Sequence, residues 1–331
     1  MAIIFQDGFG KYGPNGSSFS SVQSVFDTGY VLSGGGSINF VSGFSAGTSA
    51  VQMSRSTSAA PRLSRQITTT EDVVIIGFEL SATARFDGFF TIEGVTKIDW
   101  PAAMAIEGNS GSAIPILNTG YYVELKITKS TKAYVMKLNG YPYIDGTLAT
   151  SSAIPNTLNL QWGFPSTGSG AAFKVSNIVI VDSSVGKYTD FIGPQTIKDD
   201  RPTASVTPIE WDPIPSNKTN VQIMQNNPPL PSEYTKSDVV GESDYYTSSA
   251  AVSGNVTAVA VTAIIGKTDI DSQKVKVGIG SSGSRKESEE IEVEVQPKYI
   301  SHVFETDEAD ADWNAGSATS VAFGVTIQPR P

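Results

Sequence analysis

The most suggestive chemistry in the chain is a row of alternating acids, Glu290, Glu292 and Glu294. Side chains two apart on a strand share a face and lie about 7 Å apart. An inverting pair of glycosidase carboxylates needs about 6.5–9.5 Å, so Glu290 and Glu292 qualify on distance alone. An acid and a base must flank a bond across a cleft, however, and no Trp or Tyr cluster surrounds this segment. The intervening Ile291, Val293 and Val295 make the plainer reading a wet-faced strand whose like charges guard an edge from pairing. Gly278-Ile279-Gly280-Ser281-Ser282-Gly283 spells the dinucleotide fingerprint, but that motif requires a helix N-terminus directly after its glycines. Here a strand-like alternation follows, which makes the glycines a hairpin loop. Gly266-Lys267-Thr268 resembles the end of a phosphate-binding loop, yet Val261 stands where its first glycine is required.

Asp310-Ala311-Asp312-Trp313-Asn314-Ala315-Gly316 opens like a calcium loop. Its glycine comes one position late and Val321 replaces the closing glutamate, which excludes an EF-hand. A solvated acidic turn is the reading, with a looser surface calcium site as the alternative. Ser301 beside His302 is no relay, because neighbours on a strand point to opposite faces. His302 is the only histidine and reads as a structural or surface residue. No Gly-x-Ser-x-Gly elbow occurs. Cysteine is absent, which removes disulfides, thiolate metal sites and a Cys nucleophile. No catalytic, cofactor-binding or metal-binding residue is assigned, and no cofactor is expected.

The elements that must position any site are strands. Apolar residues recur with period two in short runs at 50–53, 63–68, 73–80, 89–93, 121–128, 133–138, 158–162 and 175–181. Gly, Ser, Asn and Pro punctuate them. Asn139-Gly140 between two such runs is a strong hairpin signal, because a type I′ turn needs two positive φ angles. Prolines gather at 194, 202, 208, 213, 215, 228, 229 and 231, where they would remove ladder donors. Strands resume at 255–265, 273–279, 289–295, 300–305 and 321–328. The expected organisation is all-β: a jelly-roll domain over 1–190, a Pro-rich extended connector over 191–240, and a smaller β-sandwich over 241–331.

Composition bounds the function. The 331 residues carry 23 Lys plus Arg against 33 Asp plus Glu, a formal net charge of −10. That balance opposes wrapping on nucleic acid or an anionic membrane. No apolar run approaches the about 18 residues of a membrane span. The opening Met-Ala-Ile-Ile-Phe-Gln-Asp lacks the basic and long apolar regions of a signal peptide, so none is expected. Trp100, Trp162, Trp211 and Trp313 are well separated and read as core or interface anchors.

Several segments together carry a resemblance. Phe5-Gln6-Asp7-Gly8-Phe9, the run from Val123-Glu124-Leu125-Lys126 to Leu138-Asn139-Gly140, and Val175-Ser176-Asn177-Ile178-Val179-Ile180-Val181-Asp182 resemble concanavalin A-like (LamG-type) jelly rolls. Phe191-Ile192-Gly193, Pro202, Trp211-Asp212-Pro213 and Ser243-Asp244-Tyr245-Tyr246 look like a family of tailed-bacteriophage minor virion structural proteins. Ala258 to Ala263, Lys267-Thr268-Asp269, and Ala311-Asp312-Trp313 before Phe323-Gly324-Val325 continue the match over nearly the whole chain. The resemblance implies a non-enzymatic decoration, collar or tail accessory subunit of the virion, made in the bacterial cytoplasm. Its partners would be other head or tail proteins and further copies of itself. In that setting Trp211, Pro213, Pro228 and Pro229 are candidate interface residues, because a connector without its own core gains order on a partner. The alternative is a host-glycan-binding module of a tail fibre, with Tyr141, Tyr143, Asp145 and Trp162 as candidate contacts.

Overall fold

A computed structural model describes residues 1–249, 251–281 and 283–329. The chain is all-β, 42% strand and 5% helix. It divides into two compact units, the first comprising residues 1–10, 14–20 and 29–198, the second 11–13, 21–28 and 199–331.

The first unit is a two-sheet sandwich of jelly-roll type. One sheet runs in the order Tyr141–Thr147, Ala133–Leu138, Tyr121–Thr128, Val73–Ala82, Ala171–Asp182, Ser49–Arg55 and Ser37–Ser42, and Ala2–Asp7 pairs with Ala171–Asp182. The facing sheet runs Asn109–Ser110, Ala105–Ile106, Thr96–Asp99, Phe90–Ile92, Thr157–Gly163, Arg62–Thr68 and Tyr30–Ser33. Every recorded strand pairing in both sheets is antiparallel, as a hairpin-rich sequence dictates. Alternation fills the space between the sheets: Ile76, Phe78 and Leu80 meet Phe90, Leu160 and Trp162, all buried. Phe78 lies 4.9 Å from Phe90 and 6.0 Å from Trp162, ring centre to ring centre. The hairpin at Asn139-Gly140 forms as the dipeptide predicts, with φ of 52° and 83° and Leu138 opposite Tyr141.

The second unit is a smaller sandwich. Its main sheet runs Ala204–Ser205, Ser243–Thr247, Ala322–Ile327, Lys274–Ile279 and Lys286–Glu287, and Ile291–Glu292 also pairs with Lys274–Ile279. The antiparallel pair of Val259–Ile265 and Lys298–Phe304 packs Val261, Ile300 and Phe304 against Val275, Val277, Ile279 and Val325. The Trp313 indole N–H donates to the Phe304 carbonyl at 2.7 Å, which seats the ring in this core. Tyr12 and Phe26, early in the sequence, meet Tyr299 edge to face at 4.7 and 6.1 Å between ring centres.

The proline-rich stretch is not one separate arm. Residues 191–198 belong to the first unit and 199–240 to the second. The latter hold a ribbon of Asp212–Ile214 with Tyr234–Lys236 and a short helix, Asn220–Met224, opened by a Thr219 capping box. Proline is tolerated there because a two-stranded ribbon has free edges. Among the described residues no helix is long and apolar enough to cross a membrane.

Candidate functional site

The four candidate glycan contacts do not converge. Trp162 is buried against Phe78 and Phe90, and its indole N–H has no partner, so it belongs to the core. Its position on Thr157–Gly163 points inward between the sheets, where no ligand stacks. Tyr141, Tyr143 and Asp145 fall on one edge strand, and their spacing suggests a shared face. A register shift between Met136 and Lys137 undoes that: Tyr141 pairs with Leu138 while Asp145 pairs with Val135, three residues apart and on opposite faces. The Tyr143 hydroxyl donates to the Ala113 carbonyl at 2.5 Å and accepts the Met104 amide at 3.1 Å. Its ring stands where a Cβ on Gly111 would be, 2.2 Å from the nearest ring carbon. Tyr143 therefore pins the 104–113 segment instead of facing solvent. Tyr121 accepts the Ile116 amide at 2.7 Å and Arg85 donates to the Pro115 carbonyl at 3.4 Å, so the same loop is held at several points. What this edge presents is Tyr141, 77% exposed, and on the pinned loop Ile114 and Ile116, 60% and 68% exposed.

The candidate interface residues also take different places. Trp211 packs against the second unit's own core, its carbonyl accepts Asn220 Nδ2 at 2.9 Å, and its indole N–H is buried without a partner. An intramolecular slot thus takes the ring that the sequence assigns to a neighbour. Pro213 sits half-buried in the ribbon, Pro228 is exposed and Pro229 half-buried on the loop after the short helix. Beside them Asp244 is buried, accepting Tyr246 Oη at 2.5 Å and Asn220 Nδ2 at 3.2 Å. Burial pushes the Asp244 carboxyl above its ordinary value, and the bonds from Tyr246 and Asn220 only partly offset this.

Glu290 lies 2.9 Å from Lys274, which holds its carboxyl below the usual range, the opposite of what a general acid needs. Glu292 accepts Ser272 Oγ at 2.9 Å, and Lys298 pairs with Glu294. The expected strand over 289–295 shrinks to Ile291–Glu292, because these acids pair with lysines at the surface instead of continuing a ladder. His302 is partly buried; burial lowers its pKa. The glycines at 278–283 end one strand and lead to Lys286–Glu287, with no helix between; Ser282 lies outside the described residues. In the acidic turn Lys286 Nζ contacts Asp310 at 2.5 Å, an ammonium where a cation would otherwise sit. Among the described residues no cluster of three His, Asp or Glu side chains is arranged to hold a metal.

The notable polar cluster is one the sequence reading left without a role. On the outer face of the eight-stranded sheet, Tyr122 pairs with Glu79 and Glu124 with Gly77. Residues 188–198 cross over this face. Gly193 N–H donates to Glu124 Oε1 at 3.0 Å, and Ile197 N–H to Asn177 Oδ1 at 2.9 Å. Asn177 Nδ2 in turn donates to Glu79 Oε2 at 2.7 Å. Asn177 takes a φ of +49° at a bulge, a conformation asparagine tolerates, and this turns its amide toward both partners. Glu124 is 1% exposed, and its Oε2, like the buried Tyr122 hydroxyl, has no partner. Burial raises the Glu124 carboxyl, partly offset by the Gly193 amide and Lys137; burial likewise raises Glu79, partly offset by Asn177 and Lys174. For Tyr122, burial and the two nearby carboxyl groups push the hydroxyl far above its ordinary value. The alternation Val123-Glu124-Leu125-Lys126 does signal Glu124's outward face. Nothing local signals the segment that covers it.

No family model matches the chain, and no curated protein matches it. Among solved structures it is similar to a sialidase at 10% identity and TM-score 0.38, covering 53% of this chain and 19% of that one. The binding domain of Paraclostridial Mosquitocidal Protein 1 gives 9% identity and TM-score 0.38, over 56% of this chain and 49% of that one. Domain 4 of the extracellular arabinanase AbnA from Geobacillus stearothermophilus, solved with arabinotriose, gives 12% identity and TM-score 0.35, over 46% and 82%. The chain thus spans about a fifth of the first protein and about half of the second. Likenesses of this size carry no argument about ligand or activity.

Proposed function

We propose that the chain is a non-enzymatic binding protein whose first unit meets a surface glycan at the edge carrying Tyr141. The observation that supports this is Tyr141 itself, a ring 77% exposed on a hydrogen-bonded strand. A ring fixed on such a strand offers apolar area to a sugar face at small entropic cost. Exposed Ile114 and Ile116, on the loop pinned by Tyr121 and Tyr143, extend the apolar surface of this unit. The test is a glycan array and a cell-binding assay with wild type and Tyr141→Ala. Selective binding that drops in the variant, at unchanged unfolding temperature, supports the reading; no binding, or undiminished binding by the variant, removes it.

A second reading follows from the other unit. Ile209, Leu230, Tyr234, Val239 and Val240 are 43–56% exposed within about thirty residues. Such surface favours protein contact, as in a building block of a tailed-phage particle present in several copies. Stoichiometric rebinding of purified protein to particles lacking it supports this reading, and failure to rebind removes it.

A further inference from the structure

We propose that residues 188–198 form a pH-responsive latch on the outer face of the eight-stranded sheet, shut while Glu124 carries a proton and loosened as it ionises. The contacts that hold the segment include the Gly193 and Ile192 amides on Glu124, the Ile197 amide on Asn177, Asp190 against Lys126 at 2.9 Å, and the Phe191 ring beneath Lys137 at 4.1 Å. Tyr188 N–H adds a bond to the Met1 carbonyl at 2.9 Å. None of these contacts is a ladder bond of the sheet below.

Glu124 is the central point. Oε1 accepts the Gly193 amide and the Ile192 amide also bonds the carboxyl, while Oε2 is buried without a partner of its own. An ionised carboxylate in that position forfeits hydration it cannot replace, whereas a protonated one loses far less. The charged and titratable groups facing it come from every neighbouring element. Lys137 pairs across from it on Ala133–Leu138 and Lys126 lies two along on its own strand. Glu79 stands on Val73–Ala82, with Lys174 beside it on Ala171–Asp182, Tyr122 lies on the same strand as Glu124, and Asp190 on the latch itself. Burial outweighs these charges. The Tyr122 hydroxyl, unpartnered and 4% exposed, leans over Gly77, where a Cβ would stand 2.5 Å from it. It offers Glu124 no relief.

The sign follows from linkage. With the latch shut the Glu124 carboxyl holds its proton more tightly than when opened to water. Closure is therefore fully favoured below the ordinary glutamate range and weakens as pH rises through the closed-state value. Within that window each pH unit raises the opening constant by up to about tenfold. The bond from Asn177 favours the ionised form of Glu79, so Glu79 does not add to this effect through Asn177.

Hydrogen exchange of the full chain from about pH 4.5 to about pH 7.5, corrected for intrinsic amide chemistry, reads this directly. Protection at Gly193 and Ile197 is expected to fall as pH rises, by no more than about tenfold per pH unit. Protection at Leu125, in the sheet beneath, should hold. Glu124→Gln, uncharged and nearly isosteric, should stay protected throughout. A pH-independent wild type, or a folded Glu124→Gln variant unprotected at every pH, overturns the latch. Should that variant not fold, a carbon-detected titration of the wild-type Glu124 carboxyl decides. Its midpoint must coincide with the transition at the Gly193 amide, and separate midpoints overturn the proposal.

Discussion

Replacing Trp162 by alanine tests whether that ring is core or ligand platform. The indole is fully buried, with ring centres of Phe78 and Phe90 at 6.0 and 5.4 Å. Truncating such a side chain removes its transfer free energy and leaves a cavity that two rigid sheets cannot close, a loss of about 3–5 kcal/mol. For a unit of this size each kcal/mol shifts the melting temperature by about 2–4 °C, so Tm should fall by about 6–20 °C. Trp162→Phe should be much milder. It keeps most of the ring and removes an indole N–H that has no partner, so a loss of about 1–2 kcal/mol is expected. Calorimetry paired with guanidinium titration measures both, and Tyr141→Ala supplies a surface control with unchanged Tm. A Trp162→Ala protein that melts like wild type yet has lost ligand binding would refute this reasoning, since it would place the indole at the surface.

Asp244→Asn should flatten the pH dependence of the second unit's stability. Burial raises the Asp244 carboxyl above its ordinary value, so its contribution to stability is fullest at low pH and is lost as pH rises through the raised value; chemical denaturation across pH of wild type against Asp244→Asn measures the difference in slope. Gly77→Ala should destabilise by about 1–3 kcal/mol, because its new methyl would meet the Tyr122 hydroxyl at 2.5 Å. Tyr122→Phe should recover part of that loss, and additive effects in the double-mutant cycle would contradict the contact. Tyr143→Phe breaks both hydroxyl bonds to the 104–113 segment, so exchange at Met104 should quicken while the sheet amides hold. Glu290→Gln with Glu292→Gln should leave the unfolding midpoint unchanged and affect no polysaccharide turnover; any activity lost with them would restore the catalytic pair.

The interior strands were readable because their alternation is long and local: 121–128 and 133–138 fall where the apolar period places them. Strands set by distant partners were not. Ala2–Asp7 is fixed by Ala171–Asp182, and Asn109–Ser110 is too short to show a period. Proline density at 191–240 correctly excluded central sheet there but could not reveal that an edge ribbon accommodates Pro213. The candidate site failed for two physical reasons. A one-residue bulge sends Tyr141 and Asp145 to opposite faces, and burial of Trp162 depends on the facing sheet. Glu124 was legible as an outward-facing residue, and only the covering segment makes it an interior one.

The pairing of Ala2–Asp7 with Ala171–Asp182 has a consequence for synthesis. A nascent chain cannot complete the first sandwich until Asp182 has cleared the ribosome. Residues 21–28 wait longer still, since Asp27 bridges to Lys298. Residues 2–7 and 21–28 are thus made well before their partners, and until Ala2–Asp7 docks, the flank of Ile178–Asp182 is open to mispairing with any other growing strand.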